Sequence, residues 1–288
     1  MALGLWGTVG AAAQQPAAPA PAAPQAGPID GIVAAMQAAE QRASRFTVEL
    51  TTAGQLPGDL ALSTRGVLHV LRGAQPAVHT AVEFSFADGL GGRVESAQTA
   101  AGIVLYEENP AFGELYLRFA PELVADLEWA GSVLGRSDLP GMADRRAMAP
   151  LGSTMLVELQ REFALGVVDG RRDRAGEPGT WLAGPRRGGL DDDGSGQPMA
   201  DRVEVFVRDR DHALVEANWL QGERRVQQIV VQRLEVDGDL PPALFTVDGR
   251  GQRLRDVQQH QPMWDQIQQV LQKAEAKAPE GAVRPSRR

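Results

Sequence analysis

The stretch that decides the fold is VEVFV (residues 203–207), ALVEANW (213–219) and VQQIVVQRLEV (226–236), followed by LPPALFTV (240–247). The first three segments are rich in Val, Leu and Ile and are separated by short polar turns, the pattern of consecutive antiparallel strands. The Leu-Phe pair of the fourth segment is predicted to anchor the chain in a core. One apolar face without a chemical motif indicates a chain that holds something rather than one that transforms it.

Alternation of apolar and polar residues, the pattern of a strand with one buried face, also recurs through the first half of the chain. It is clearest at 78–86, where every second residue from Val78 to Phe86 shares one face. Helical spacing of apolar residues predicts helices at 29–45, 121–134, 151–163 and 257–273, the regular part of the last beginning at Pro262. Further strands are predicted at 46–52, 67–72, 93–99, 103–107, 114–119, 165–169 and 180–183. These elements predict an α+β fold, a curved antiparallel sheet with helices on one face.

The two ends of the chain differ in composition from the middle. Residues 1–27 combine a short apolar run with small residues, as in the remnant of a signal peptide, and then an Ala/Pro-rich disordered linker. Residues 28–256 form the predicted domain, and 257–288 a C-terminal amphipathic helix with a disordered tail. We therefore expect export. Because a positively charged start is missing, an Ala-rich tail without a targeting role stays open as the alternative.

Composition and spacing argue against several classes of function. The net charge is -8, so the chain lacks the cationic excess of nucleic-acid binding. It has no cysteine, and its four histidines (His69, His79, His212 and His260) lack metal-ligand spacing and are predicted at surface or strand-edge positions. The DDDGSG run at 191–196 resembles a calcium loop but has Arg202 where a glutamate is needed. We predict no catalytic residue, no metal and no cofactor.

The apolar strand faces and the amphipathic helices can pack in two ways. They either pack into a solid core or leave a hydrophobic cavity between sheet and helices, and ligand pockets are mostly apolar. The sequence slightly favours the solid core and leaves the cavity open as the alternative.

Four segments carry a resemblance to a known family. GVLHVLR (66–72) resembles a "G-x-L-x-V-x-R" strand, and LYEENP (105–110) resembles an aromatic strand with an Asn-Pro turn. Residues 151–183 resemble a mid-chain helix with a strand pair, and 203–247 closing strands with "Leu-Pro-Pro-x-Leu-Phe-Thr". In this order they resemble the periplasmic lipoprotein-carrier superfamily, LolA-like proteins and relatives such as the sigma-factor regulator RseB, over about three-quarters of the chain.

The resemblance implies an incomplete β-barrel closed by a helical lid, with acyl chains held between them. The position that matches the family's lid-bonding arginine is Arg72, for which an ordinary surface arginine stays open as the alternative. The residues implied to face the ligand are Leu68, Val70, Arg72, Val82, Phe84, Phe86, Leu115 and Leu117.

The chain departs from the simple carriers in two extra loops, 136–150 and 184–197, in its C-terminal helix and in His69 at a position often aromatic. We expect a non-enzymatic, soluble periplasmic carrier whose partners are lipid or lipoprotein acyl chains, which meets membranes only peripherally. The alternative is an RseB-like sensor or interaction module of the cell envelope with a membrane-anchored protein partner.

Overall fold

A computed structural model describes residues 27–56, 60–109, 113–134, 149–171, 173–188, 200–279 and 282–287. The predicted signal-like segment, most of the 136–150 loop and the DDDGSG run lie outside these ranges. The described helices are α1 (Pro28–Arg42), α2 (Pro121–Leu134), α3 (Ser153–Glu162) and α4 (Gln261–Lys277). None of them is long and apolar enough to cross a bilayer.

The strands belong to a 13-stranded sheet. They are β1 (Arg45–Leu56), β2 (Leu60–Leu71), β3 (Ala77–Phe86), β4 (Gly91–Thr99), β5 (Gly102–Asn109), β6 (Gly113–Phe119), β7 (Gly166–Val167), β8 (Asp173–Arg174), β9 (Glu177–Pro185), β10 (Arg202–Arg208), β11 (Leu214–Gln221), β12 (Arg224–Val236) and β13 (Arg255–Asp256). Their order is β13-β6-β5-β4-β3-β2-β1-β12-β11-β10-β9-β7, with β8 paired to β9. The two ends of this order do not meet, and every pairing except β13–β6 is antiparallel. The predicted fold, an α+β curved and unclosed sheet, is confirmed.

The strand register shows that all four helices lie on one face of the sheet, the inner face. Directly paired residues share a face, so one continuous row crosses six strands. It consists of Val48, Leu68, Thr80, Ser96, Leu105 and Leu117. One end of this row packs under α2 and α4, and the other lies beside α3.

The helices form two separate pairs. Apolar residues of α1 and α3, among them Met36 and Leu156, and Phe163 directly after α3, pack on Leu182 and Val205 of β9 and β10. The second pair, α2 and α4, shares a cluster with β5 and β6. The final helix, which the sequence assigns to a separate C-terminal segment, therefore packs on the same sheet, because its apolar side needs burial. It begins at Gln261, so Pro262 lies in its first turn, where a missing N–H costs nothing.

The outer face is crossed by residues 237–254, the crossing segment. It starts where the Asp237 carboxylate accepts the Ser44 and Arg45 N–H groups, which lowers the pKa of Asp237. It then packs Val247 beside Tyr106, and it ends at β13. The Leu-Phe anchor predicted from the sequence is part of this segment, and Phe245 is buried.

Several element boundaries differ from the predictions. The first helix ends at Arg42 because Arg45 already pairs with Leu71 in the sheet. The predicted disordered tail is described at 282–287, where Arg284 and the backbone N–H of Ser286 bind the buried Asp126 of α2. A buried carboxylate needs such partners, which explains why this part of the tail lies against the helix.

Candidate functional site

A cavity of about 230 Å³ lies on the inner face, between the sheet and the start of α3. Several of its lining residues are only half buried, so it opens toward solvent. The lining is aliphatic, and Thr80 is the one polar side chain among the described residues that form it. These residues are Val48, Leu50, Leu68, Thr80, Ala149, Pro150, Gly152, Met155, Leu214, Ile229 and Val231.

The local sequence explains why a hollow remains here. The floor comes from alternate residues of β1, β2 and β12, which a strand places on one face. The cavity roof consists of Ala149, Pro150, Gly152 and Met155. Three of these four have small or no side chains and cannot fill the space beneath them. Gly152 has φ 88° and supports a tight turn directly before α3.

Arg72 lies on the edge of this region. Its Nη1 donates a hydrogen bond to the backbone carbonyl of Glu40 in α1, and its guanidinium lies 5.1 Å from the centre of the Phe46 ring. The arginine therefore connects β2, which it follows directly, to the end of the first helix. This contact distinguishes it from an ordinary surface arginine, although no contact to a ligand follows from it.

Of the other predicted ligand residues on β2, Leu68 lines the cavity. Val70 is fully buried and packs in a neighbouring cluster that contains Phe46 and Leu151. It supports the core beside the cavity, and its side chain is not part of the lining. The structure thus brings one predicted residue to the cavity and another close behind it.

The remaining predicted residues lie on the same inner face but away from the cavity. Val82, Phe84 and Phe86 continue along β3 as a half-buried apolar strip. Leu115 and Leu117 pack under α2 and α4. Their role in ligand binding stays a prediction. The strip on β3 resembles the cavity lining in being apolar and half-buried.

The sequence prediction missed most of the lining. Val48 and Leu50 on β1, and Ile229 and Val231 on β12, alternate in the sequence like the residues that were chosen. That alternation could have identified them. No signal in the sequence indicated that Leu214, from β11, would also reach the cavity.

The outer face carries two larger hollows, of about 740 and 470 Å³, that share Arg65, Glu83 and Arg93. Most of their lining residues are charged or polar, although the predicted ligand residue Phe84 also lines the larger hollow, so they suit a polar partner better than an acyl chain. Size alone therefore does not select the site. Of these three hollows between described residues, the aliphatic cavity has the lining that matches an apolar ligand.

Beside these hollows lies a buried polar cluster. His79 Nε2 donates a hydrogen bond of 3.0 Å to one carboxylate oxygen of Glu95, and Arg93 donates to the other oxygen at 2.6 Å. His79 is 7% exposed and belongs to β3, an interior strand of the sheet, so its predicted surface or strand-edge position was wrong. Its ring stacks on His69, and burial together with His79 lowers the pKa of His69. Within the described residues, no group of acidic and histidine side chains could hold a metal ion.

Comparison with known proteins gives matches by structure. The chain matches no protein-family model and no curated protein. Among solved structures it is similar to an uncharacterized conserved protein from Thermus thermophilus, with 8% identity, 79% of this chain and 98% of that chain covered, and a TM-score of 0.40. It is similar to MucB in a complex with MucA, with 13% identity, coverage of 76% and 59%, and a TM-score of 0.36.

A third match is a putative outer membrane lipoprotein-sorting protein domain from Vibrio parahaemolyticus. The identity is 8%, the coverage 74% of this chain and 95% of that one, and the TM-score 0.28. At these TM-scores the matches assign no site and no ligand to this chain.

Proposed function

We propose that this protein is a non-enzymatic periplasmic carrier that binds acyl chains of a lipid or lipoprotein between its sheet and its helices. The observation that carries the proposal is the aliphatic cavity beneath α3, whose described lining contains a single polar side chain, that of Thr80. Such a lining offers an acyl chain burial from water and offers a charged ligand nothing. The periplasmic location follows the signal-like start predicted from the sequence.

The contact between Arg72 and α1 supports a role in retention. The guanidinium holds the end of α1 to the sheet through the Glu40 carbonyl, and α1 packs on α3, which roofs the cavity. Loss of this contact should loosen the helices over the cavity. The Arg72→Leu variant should therefore release an acyl ligand faster than the wild type.

The test is direct binding. Purified protein is examined by native mass spectrometry before and after organic extraction, and is then titrated with the fluorescent fatty acid parinaric acid. We expect co-purifying lipid or saturable binding of the probe, with faster probe dissociation in Arg72→Leu. The matched control is Arg65→Leu, because Arg65 is an exposed arginine on the outer face of β2, the strand that precedes Arg72. A ligand-free protein that ignores parinaric acid overturns the proposal.

The polar hollows on the outer face favour a second candidate, an envelope sensor or interaction module. Their mixture of Arg65, Arg93 and Glu83 with hydroxyl groups suits a hydrophilic protein surface. A pull-down from envelope extracts that returns one protein and no lipid supports this candidate. Charge reversal at Arg65 should then weaken the interaction, whereas Leu68→Trp in the cavity should leave it unchanged.

A further inference from the structure

The cavity roof is fixed by a carboxylate from a different helix. Glu40 lies near the end of α1 and is only 5% exposed. One of its carboxylate oxygens accepts the backbone N–H groups of Leu151 at 3.0 Å and Ser153 at 3.4 Å. The other accepts the Ser153 hydroxyl at 2.5 Å. These donors alternate along the chain with Pro150 and Gly152, which line the cavity.

The start of α3 cannot supply this acceptor itself. Gly152 occupies the N-cap position and has no side chain to bond the free N–H groups of the first turn. A side chain there would be strained, because φ is 88° and an added Cβ would lie 2.9 Å from the Leu214 Cβ. The positive end of the helix also favours a negative charge. Glu40 provides both the acceptor and the charge from outside.

The same residue also meets the sheet. While the Glu40 carboxylate bonds the roof, its backbone carbonyl accepts the Arg72 guanidinium. One residue therefore links β2, α1 and the beginning of α3. We call these contacts the Glu40 bridge.

We propose that the Glu40 bridge holds the roof in place over the cavity, and that release of the Glu40 carboxylate frees the roof and widens the entrance. The effect of the Glu40 bridge on ligand entry rests on the proposed acyl-binding function. Its effect on the mobility of the roof does not. The opening is local, because α3 remains attached through Leu156, Leu159 and Phe163, which are buried against α1 and the sheet. Only the turn at 149–153 depends on the carboxylate.

Glu40→Gln and Ser153→Ala test the proposal, with Glu128→Gln, an exposed carboxylate on α2, as the matched control. Hydrogen–deuterium exchange is followed in a peptide that covers 149–156, and the dissociation rate of parinaric acid is measured in parallel. We expect both to rise roughly tenfold in Glu40→Gln, the size of effect that loss of one buried charged hydrogen bond produces. Ser153→Ala should give a smaller rise, and Glu128→Gln none.

Exchange in a peptide from β10 reports global stability and separates local opening from unfolding. If Glu40→Gln fails to fold, Ser153→Ala decides, since it retains the buried carboxylate and its two backbone donors. If the variant that decides the test exchanges hydrogen at 149–156 as slowly as the wild type, the proposed role of the Glu40 bridge is refuted. Faster exchange without faster probe dissociation overturns its gating role. If exchange is faster but the protein binds no parinaric acid, the result supports control of the roof by Glu40 and refutes the proposed carrier function.

Discussion

The volume of the cavity predicts how affinity depends on acyl chain length. At about 30 Å³ per water-sized unit, 230 Å³ takes a segment of roughly eight methylene groups. Each methylene buried contributes about 0.8 kcal/mol, which is about a fourfold gain in affinity. The dissociation constant should therefore fall about fourfold per methylene until the cavity is full. Longer chains reach the half-buried strip at Val82, Phe84 and Phe86 and should gain less per methylene.

The perturbation that tests this reasoning is Leu68→Trp. Leu68 lines the cavity, so the larger side chain should occupy part of it and shift the break in the series to shorter chains. Overpacking normally costs about 1–3 kcal/mol, but the cavity accepts the extra atoms, so the free energy of unfolding should change little. Val67→Trp, on the outer face of the same strand, should leave the series unchanged.

The assay is displacement of parinaric acid by saturated fatty acids from butanoate to palmitate, each below its micellar concentration. Urea unfolding of each variant checks stability. An affinity that is independent of chain length refutes the apolar-cavity reasoning. A break at the same chain length in Leu68→Trp and in the wild type refutes the assignment of this cavity as the site.

Three other predictions concern stability. Gly152→Ala should lower the free energy of unfolding by about 1–2 kcal/mol for the left-handed backbone alone, with a further loss from the contact with Leu214, as measured in urea. Burial is the main cause that lowers the pKa of His69 below its ordinary value of 6.5. As the pH falls, the unfolded chain therefore binds the proton before the folded chain does. The free energy of unfolding should fall as the pH drops through 6.5 and should level off below the lowered pKa. In His69→Gln the urea midpoint should depend less on pH over that range. A pH dependence equal to that of the wild type contradicts the burial of this ring. Arg284→Ala should cost about 3–5 kcal/mol because it leaves the Asp126 carboxylate buried without its cation, and a midpoint equal to that of Arg253→Ala would show that the tail is not bound in solution.

The fold could be predicted from local pattern because the sheet has one apolar face. The alternation at 78–86 identified β3, and the pattern at 226–236 identified β12. β1 extends to Leu56, beyond the predicted end at 52, because the polar TTAGQL stretch pairs with β2 despite having no apolar face. Strand pairing there comes from the neighbouring strand and is invisible in local hydropathy.

The site could be predicted less well, since it depends on contacts between distant segments. Alternation along the strands placed Leu68, Val82 and Phe84 on one face, but the position of the turn at 149–152 decides that Leu68 lines the cavity and the other two do not. The burial of His79 likewise depends on Glu95 and on the crossing segment at 237–254, far along the chain. No sequence pattern reports such coverage.

The two helix pairs differ in packing, and this difference indicates which of them can open. Ala130 of α2 and Ala274 of α4 are both fully buried, so these helices approach each other closely and fill their half of the inner face. The pair is further fixed by the Arg284–Asp126 contact. The α1–α3 pair instead leaves the cavity, and its roof depends on one carboxylate. Since a packed core resists deformation more than a turn held by hydrogen bonds, we expect the proposed acyl ligand to enter under α3, with α2 and α4 fixed.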